Sequence, residues 1–286
     1  HVFLVSLSED PGDALALGSD TSSFVALLPD SMQVDIRKEK DGLVAKYRDL
    51  PEHPVCMDAQ ARWPLTDTLS IPRVGFGTAA MGGTTVKTVQ AALDAGLRLL
   101  DSAQAREWYD EAGVGVALSR AVERGVVDKK QDVFLTSKIH PRDFGYDEVV
   151  EAIEGSLRDL QVDTLDLMFL HFPRCMPHIC GQTRTSDEDF VESFRAMADM
   201  LARGKLRSIG VSNVSTRDLE MLEDACIPDG DGGCLQPHII QNWFDPFHAD
   251  EDVRDYASEH YISYQGYSIL GTQWRHRAGS VGVNPV

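Results

Sequence analysis

Asp101, Lys138 and His171 each close a short apolar run, and so do Ser212 with Asn213, Gln241, and Tyr267 with Ser268. A single polar residue at the end of such a run is ordinarily a satisfied structural group. Six consecutive runs that behave alike point instead to chemistry at one shared rim. Asp, Lys and His brought together there form a charge-coupled cluster, in which Lys138 pairs with Asp101 and shifts the acidity of a neighbouring hydroxyl.

The elements that must position these residues are legible as an alternation. Strand-like runs fall at 74–77, 97–101, 133–138, 165–171, 207–212, 239–243 and 262–267, with helical patterns in most of the gaps. Val150, Ile153, Leu157 and Leu160 recur at helical spacing after Asp147, and Phe190, Phe194, Met197 and Leu201 do so after Asp187, with Gly204 as a stop. Strands apolar on both faces and separated by helices are parallel strands covered on the outside. No glycine-rich phosphate loop follows the first strand, so the pattern suits an α/β fold of the TIM type, a (β/α)8 barrel, better than an open sheet. In such a barrel the site lies at the carboxyl ends of the strands, where the polar residues fall.

The residues 62–286 resemble the aldo-keto reductases. The likeness runs through LTDTLSIPRVGFGTA (65–79), DAGLRLLDSA (94–103), VFLTSKI (133–139), LDLMFLHFP (165–173), GKLRSIGVSN (204–213), IIQNWFDPF (239–247) and YQGYSILG (264–271). The resemblance implies a barrel that binds NADP(H) in extended form and reduces small aldehydes or ketones to alcohols. Carried over position by position, the catalytic Asp, Lys and His fall on Asp101, Lys138 and His171. The family's Tyr stands five residues after its Asp, where this chain has Arg106. Tyr109 is the nearest tyrosine, and anchoring instead on Glu111 and the Val114–Gly115 pair puts Trp108 in the Tyr column. Tyr109 completes the expected catalytic set. The resemblance further assigns Ser212, Asn213 and Gln241 to the nicotinamide carboxamide, Tyr267 to stacking on its ring, and Ser268, Leu270 and Gly271 to the loop along the pyrophosphate, with Ile269 where the family usually has Pro.

That chemistry explains the residue types. Hydride delivery builds negative charge on the carbonyl oxygen, and a phenol with a pKa near 10 is a poor proton donor at neutral pH. Lys138 is expected to lower that pKa, Asp101 to hold the lysine, and His171 to orient the carbonyl.

The sequence also departs from the family. The segment expected to carry the eighth strand and the Lys/Ser/Arg group for the 2′-phosphate does not follow the seventh strand, so the barrel is expected to lack its last β/α unit and to expose a strand edge. Residues 1–61, an N-terminal extension without a motif, or a protein partner would cover that edge. These departures motivate an alternative function, a catalytically weakened barrel kept as a binding or scaffold subunit.

Two other constellations compete. His171, Cys175, His178 and Cys180 lie within ten residues, but their irregular spacing suits a substrate-side loop better than zinc. CIPDGDGGC (226–234) resembles a calcium loop without its later acidic ligand and reads as a turn. Five scattered cysteines argue against a disulfide framework and for a reducing compartment, cytoplasm or organelle, although Cys175 and Cys180 can pair where oxidation is possible.

Composition closes off further classes. With 43% hydrophobic residues the chain can bury a large core, and a net charge of −18 without a dense basic run argues against nucleic acid. No apolar segment reaches the length of a transmembrane helix.

Overall fold

The computed structural model describes residues 2–5, 61–230, 232–245 and 248–269. Of the segments read from sequence, most of the extension, Leu270 and Gly271 lie outside these. The described residues belong to one compact unit.

Eight parallel strands close a barrel. In chain order they are β1 (Val2–Val5), β4 (Val74–Gly77), β5 (Leu99–Asp101), β6 (Phe134–Ile139), β7 (Leu167–Leu170), β8 (Ile209–Ser212), β9 (Ile239–Trp243) and β10 (Ser263–Tyr267). A separate antiparallel hairpin, β2 (Arg62–Pro64) and β3 (Ser70–Pro72), precedes β4. The seven strands read from the alternation are all present. The edge expected beyond the seventh strand is covered from the extension, one of the two covers anticipated. Val2–Val5 lies between β10 and β4, with Val2 opposite Gln265 and Val5 opposite Phe76, so residues of the amino-terminal extension take the eighth place. Four apolar residues on their own, VFLV, carry no signature that assigns them to a barrel.

Alternation along each strand sorts side chains to the two faces. Leu135, Ile139, Met168, Leu170, Val211 and Ile240 point outward and pack on Val114, Leu118, Ile153, Leu157, Phe190 and Phe194 of the surrounding helices. Leu99, Phe134, Leu167, Phe169 and Ile239 point inward, where Leu65, Leu69 and Ile71 of the hairpin pack on them. This apolar layer fills the amino end and leaves the carboxyl end for polar groups.

Local chemistry sets the helices. Asp110 caps the helix Glu111–Glu123 by accepting from the Gly113 amide at 2.8 Å. Ser186 and Asp189 form a reciprocal capping box at the start of Asp187–Ala202, and Gly204, at φ 72°, ends the turn that follows. Two glycines permit close approaches. A Cβ on Gly115 would lie 2.5 Å from the Asp159 carbonyl oxygen in the helix Tyr146–Leu160, and one on Gly210 would lie 2.5 Å from the Ile239 carbonyl oxygen and 2.6 Å from the Phe169 ring. Among the described residues no helix is long and apolar enough to cross a membrane.

Candidate active site

Asp101, Lys138 and His171 stand at the carboxyl ends of three adjacent strands, β5, β6 and β7, on the barrel's inner face. Parity fixes that face: Lys138 follows inward Phe134 by four residues, and His171 follows inward Phe169 by two. Asp101 and Lys138 form a buried ion pair, each no more than 3% exposed. The ammonium also donates to the Ser102 carbonyl at 2.9 Å. The second Asp101 oxygen accepts from Gln241 Nε2 at 2.8 Å, and that amide also donates to Gln265 Oε1 at 3.1 Å. Because β5 and β9 face each other across the barrel, this chain of bonds crosses the lumen and forms a floor under the rim.

Tyr109, not Trp108, is the ring that lies against this cluster. The backbone turns over 105–109, where both Trp108 and Tyr109 donate from their amides to the Ala105 carbonyl. The turn leaves Trp108 56% exposed and brings the Tyr109 ring edge-on to His171, with centroids 6.0 Å apart, and 5.4 Å from Lys138 Nζ. Arg106, at the family's Tyr spacing, faces solvent 3.7 Å from Asp159.

The electrostatics correct one expectation. Burial first, then the negative charge of Asp101 and the Tyr267 phenol, push the Tyr109 hydroxyl well above its ordinary value. Lys138 does not reverse this, since its charge is paired with Asp101 and its ammonium lies over the ring. The phenol is therefore held protonated. Burial also pushes the His171 imidazole well below its ordinary value, helped by the positive charge of Lys138, so that ring is neutral. It stacks on Phe172 at 4.9 Å between centroids, and its buried Nδ1 has no hydrogen-bond partner among the described residues.

The amide shell adjoins this cluster. Ser212 Oγ donates to the Gln241 carbonyl at 2.7 Å, and Asn213 Nδ2 donates to the His171 carbonyl at 2.8 Å. The Tyr267 hydroxyl donates to Asn213 Oδ1 at 2.6 Å, which sets the half-buried Tyr267 ring at the rim. Asn213 (φ 57°) and Ser268 (φ 53°) adopt left-handed backbone where the chain leaves β8 and β10.

Two residues absent from the sequence reading belong here. Gln265 supports Gln241 from β10, and His140 sits just beyond Lys138, 2% exposed. The signal for both was strand parity, two residues before Tyr267 and two after Lys138.

The cysteines contradict the reading of scattered reduced thiols. Cys175–Cys180 and Cys226–Cys234 are disulfides. The first staples the loop after β7, which Arg174 anchors to Asp218 at 2.6 Å and Asp187 at 3.2 Å. The second closes the turn after the helix Thr216–Ala225. Cysteines paired in this way are not available as thiolate ligands for zinc.

Comparison with known proteins agrees with this geometry. The model described as Aldo/keto reductase family matches residues 73–280. An aldo-keto reductase of Mycolicibacterium smegmatis is 33% identical over 79% of this chain and 71% of its own length. The NAD(P)H-dependent D-xylose reductase of Scheffersomyces stipitis is 30% identical over 73% of this chain and 67% of its own. The crystal structure of a Bombyx mori aldo-keto reductase in complex with NADP superposes with a TM-score of 0.64 at 27% identity, covering 74% of this chain and 67% of that one. The chain thus spans about two thirds of the length of these proteins.

Proposed function

We propose that this protein is an NADP(H)-dependent carbonyl reductase: the chain belongs to the aldo/keto reductase family, and its rim holds the groups that reduction of an aldehyde or ketone requires. The observation that carries the reading is the packing of a protonated Tyr109 phenol against Lys138 and neutral His171.

The residues present fit the nicotinamide end of the cofactor. Gln241 uses its amide donor on Asp101 and Gln265 but leaves Oε1 without a partner among the described residues, and the Tyr267 ring stands beside it at the end of the adjacent strand. Ser212, Asn213 and Gln241 would hold the carboxamide, and Tyr267 would lie against the ring. Bound there, the cofactor supplies hydride.

The chain's own residues handle the oxygen and the proton. His171 is uncharged, so it donates a hydrogen bond to the carbonyl oxygen without adding a competing acid. Tyr109, although burial makes its phenol a weaker acid, gives its proton to that oxygen once hydride delivery has made it an alkoxide, a stronger base than the phenolate. Lys138, fixed by Asp101 and the Ser102 carbonyl, keeps a positive charge beside the phenolate that remains. Two disulfides favour an oxidising compartment over the reducing one.

The test is NADPH binding by fluorescence followed by oxidation of NADPH with p-nitrobenzaldehyde. Tyr109→Phe should retain binding and lose about 10²- to 10⁴-fold in turnover. Full activity in that variant, or no NADPH binding by the native chain, would sink the reading.

A further inference from the structure

Tyr109 reaches the cluster on a loop, and one buried hydroxyl meets both ends of that loop. Glu111 stands two residues after Tyr109, in the first turn of the helix Glu111–Glu123, and is 7% exposed. Its Oε1 accepts from Ser137 Oγ at 2.6 Å and its Oε2 from Ser156 Oγ at 3.0 Å. Ser137 precedes Lys138 on β6 and, by alternation, points outward where Lys138 points in. Ser156 belongs to the helix Tyr146–Leu160. At the other end of the loop, the Gln104 backbone amide donates to the Lys138 carbonyl at 3.0 Å. The Gln104 side chain donates from Nε2 to the Ala152 carbonyl at 2.6 Å and to Ser156 Oγ at 2.8 Å. Ser156 therefore accepts from the start of the Tyr109 loop and donates to its end.

The same contacts set the helix along its axis. Glu111, Gly115 and Ser119 follow one another at four-residue spacing and share one face. That face lies on the helix Tyr146–Leu160 and the residue that ends it. Gly115 permits the close approach to the Asp159 carbonyl, and Ser119 Oγ donates to Gln161 Oε1 at 3.0 Å. Glu111 is the contact nearest the rim, with only the capping residue Asp110 between it and Tyr109. A slip of this helix by one residue would carry Tyr109 about 1.5 Å along the axis. Burial raises the Glu111 carboxyl above its ordinary value, and the two hydroxyls offset this only in part. The residue thus costs stability where an apolar side chain would not, and what it supplies is a directional bridge.

We propose that Glu111 is a positioning residue for the proton transfer: its bridge between Ser137 and Ser156 sets how Tyr109 stands against Lys138 and His171. Ser137 is joined directly to Lys138, so the bridge ties the proton donor to the strand that carries the ammonium. It holds the Tyr109 ring 5.4 Å from Lys138 Nζ and 6.0 Å from the His171 ring. Glu111 itself lies on the outer face of the barrel and acts only through Tyr109. A misplacement of about 1 Å at a reacting group can cost on the order of 10²-fold in rate.

This inference rests on the carbonyl reductase reading, and the experiment separates the two. Hydride transfer from NADPH to p-nitrobenzaldehyde is followed in a single turnover for the native chain, Glu111→Ala and Glu111→Gln, and for Glu111→Ala combined with Tyr109→Phe. Glu111→Ala should lower the rate about tenfold, with the NADPH Kd changed by less than about twofold. Glu111→Gln should keep at least about half of the native rate, since its amide can accept from Ser137 and donate to Ser156. In Tyr109→Phe, adding Glu111→Ala should cost less than about twofold, because the group it positions is already gone. An undiminished rate in Glu111→Ala, an equal loss in both backgrounds, or a Gln variant as slow as the Ala variant overturns the inference alone. No turnover by the native chain, or full activity in Tyr109→Phe, overturns the reductase reading and this inference with it. Should Glu111→Ala fail to fold, Ser156→Ala decides: it should slow the native chain and leave Tyr109→Phe unchanged, and an equal response in the two backgrounds overturns the inference.

Discussion

Replacing Lys138 by methionine should destabilise the protein far more than loss of an ordinary surface lysine. Asp101 is 3% exposed and Lys138 2%, and the carboxylate's other partner is the neutral amide of Gln241. Without the ammonium, a buried carboxylate remains with one neutral donor. Removing one member of a buried pair typically costs about 3–5 kcal/mol. At about 2–4 °C per kcal/mol for a domain of this size, the midpoint of thermal unfolding should drop by roughly 6–20 °C. The decisive measurement is a double-mutant cycle with Asp101→Asn. Once the carboxylate is gone, losing the ammonium should matter much less, giving a coupling of about 2–3 kcal/mol. Additivity within about 0.5 kcal/mol would refute the argument, because it would mean that the two side chains are stabilised independently.

Stability should also depend on the buried imidazoles. The His140 ring titrates at 6.5 when unfolded and at about 4 when folded, so the unfolded chain binds more protons in between; stability present above about 6.5 is lost as pH falls towards about 4. His171 acts in the same direction, whereas Glu111 and Asp166, whose carboxyls burial raises, oppose it. Denaturant midpoints across that range should therefore show a shallower slope in His140→Gln. Gly210→Ala forces a methyl against the Ile239 carbonyl and the Phe169 ring and should lower stability by about 1–3 kcal/mol in urea unfolding. Denatured without reductant, the chain should titrate as one thiol among its five cysteines, and Cys175→Ser with Cys180→Ser should cost about 2 kcal/mol.

The barrel was legible because parallel strands covered by helices must be apolar on both faces, and each such run in 70–267 became a strand. The rim was legible for the same reason in reverse, since Asp101, Lys138 and Gln241 interrupt otherwise apolar runs. Tyr109 was harder. Its place depends on a turn closed by two amides on the Ala105 carbonyl, and a turn of that kind has no period to read. His140 lay hidden just past a strand end, where counting by parity stops by habit rather than by physics. The Cys175–Cys180 bridge was open to the sequence as a local pairing, whereas Cys226–Cys234 was not read, because pairing depends on Cα separation, 4.7 Å there, which linear spacing does not reveal. Lys138 does not lower the phenol's pKa because burial of Tyr109 is the larger effect and the Asp101 carboxylate acts in the same direction as burial.

The strand Val2–Val5 gives the barrel an unusual order of assembly. Strands β4 to β10 follow one another in sequence, and each docks on the one before through a connection of modest length. Val2, by contrast, meets Gln265 from nearly the opposite end of the described chain, so the last seam joins residues separated by almost the whole sequence. Loop-closure entropy rises only logarithmically with that separation, but it must be met by the few hydrogen bonds of a four-residue strand. The seam should therefore form late and open first. In hydrogen exchange, the amides facing it on β1 and β10 should lose protection ahead of those between β6 and β7, so that the barrel breathes along a single line.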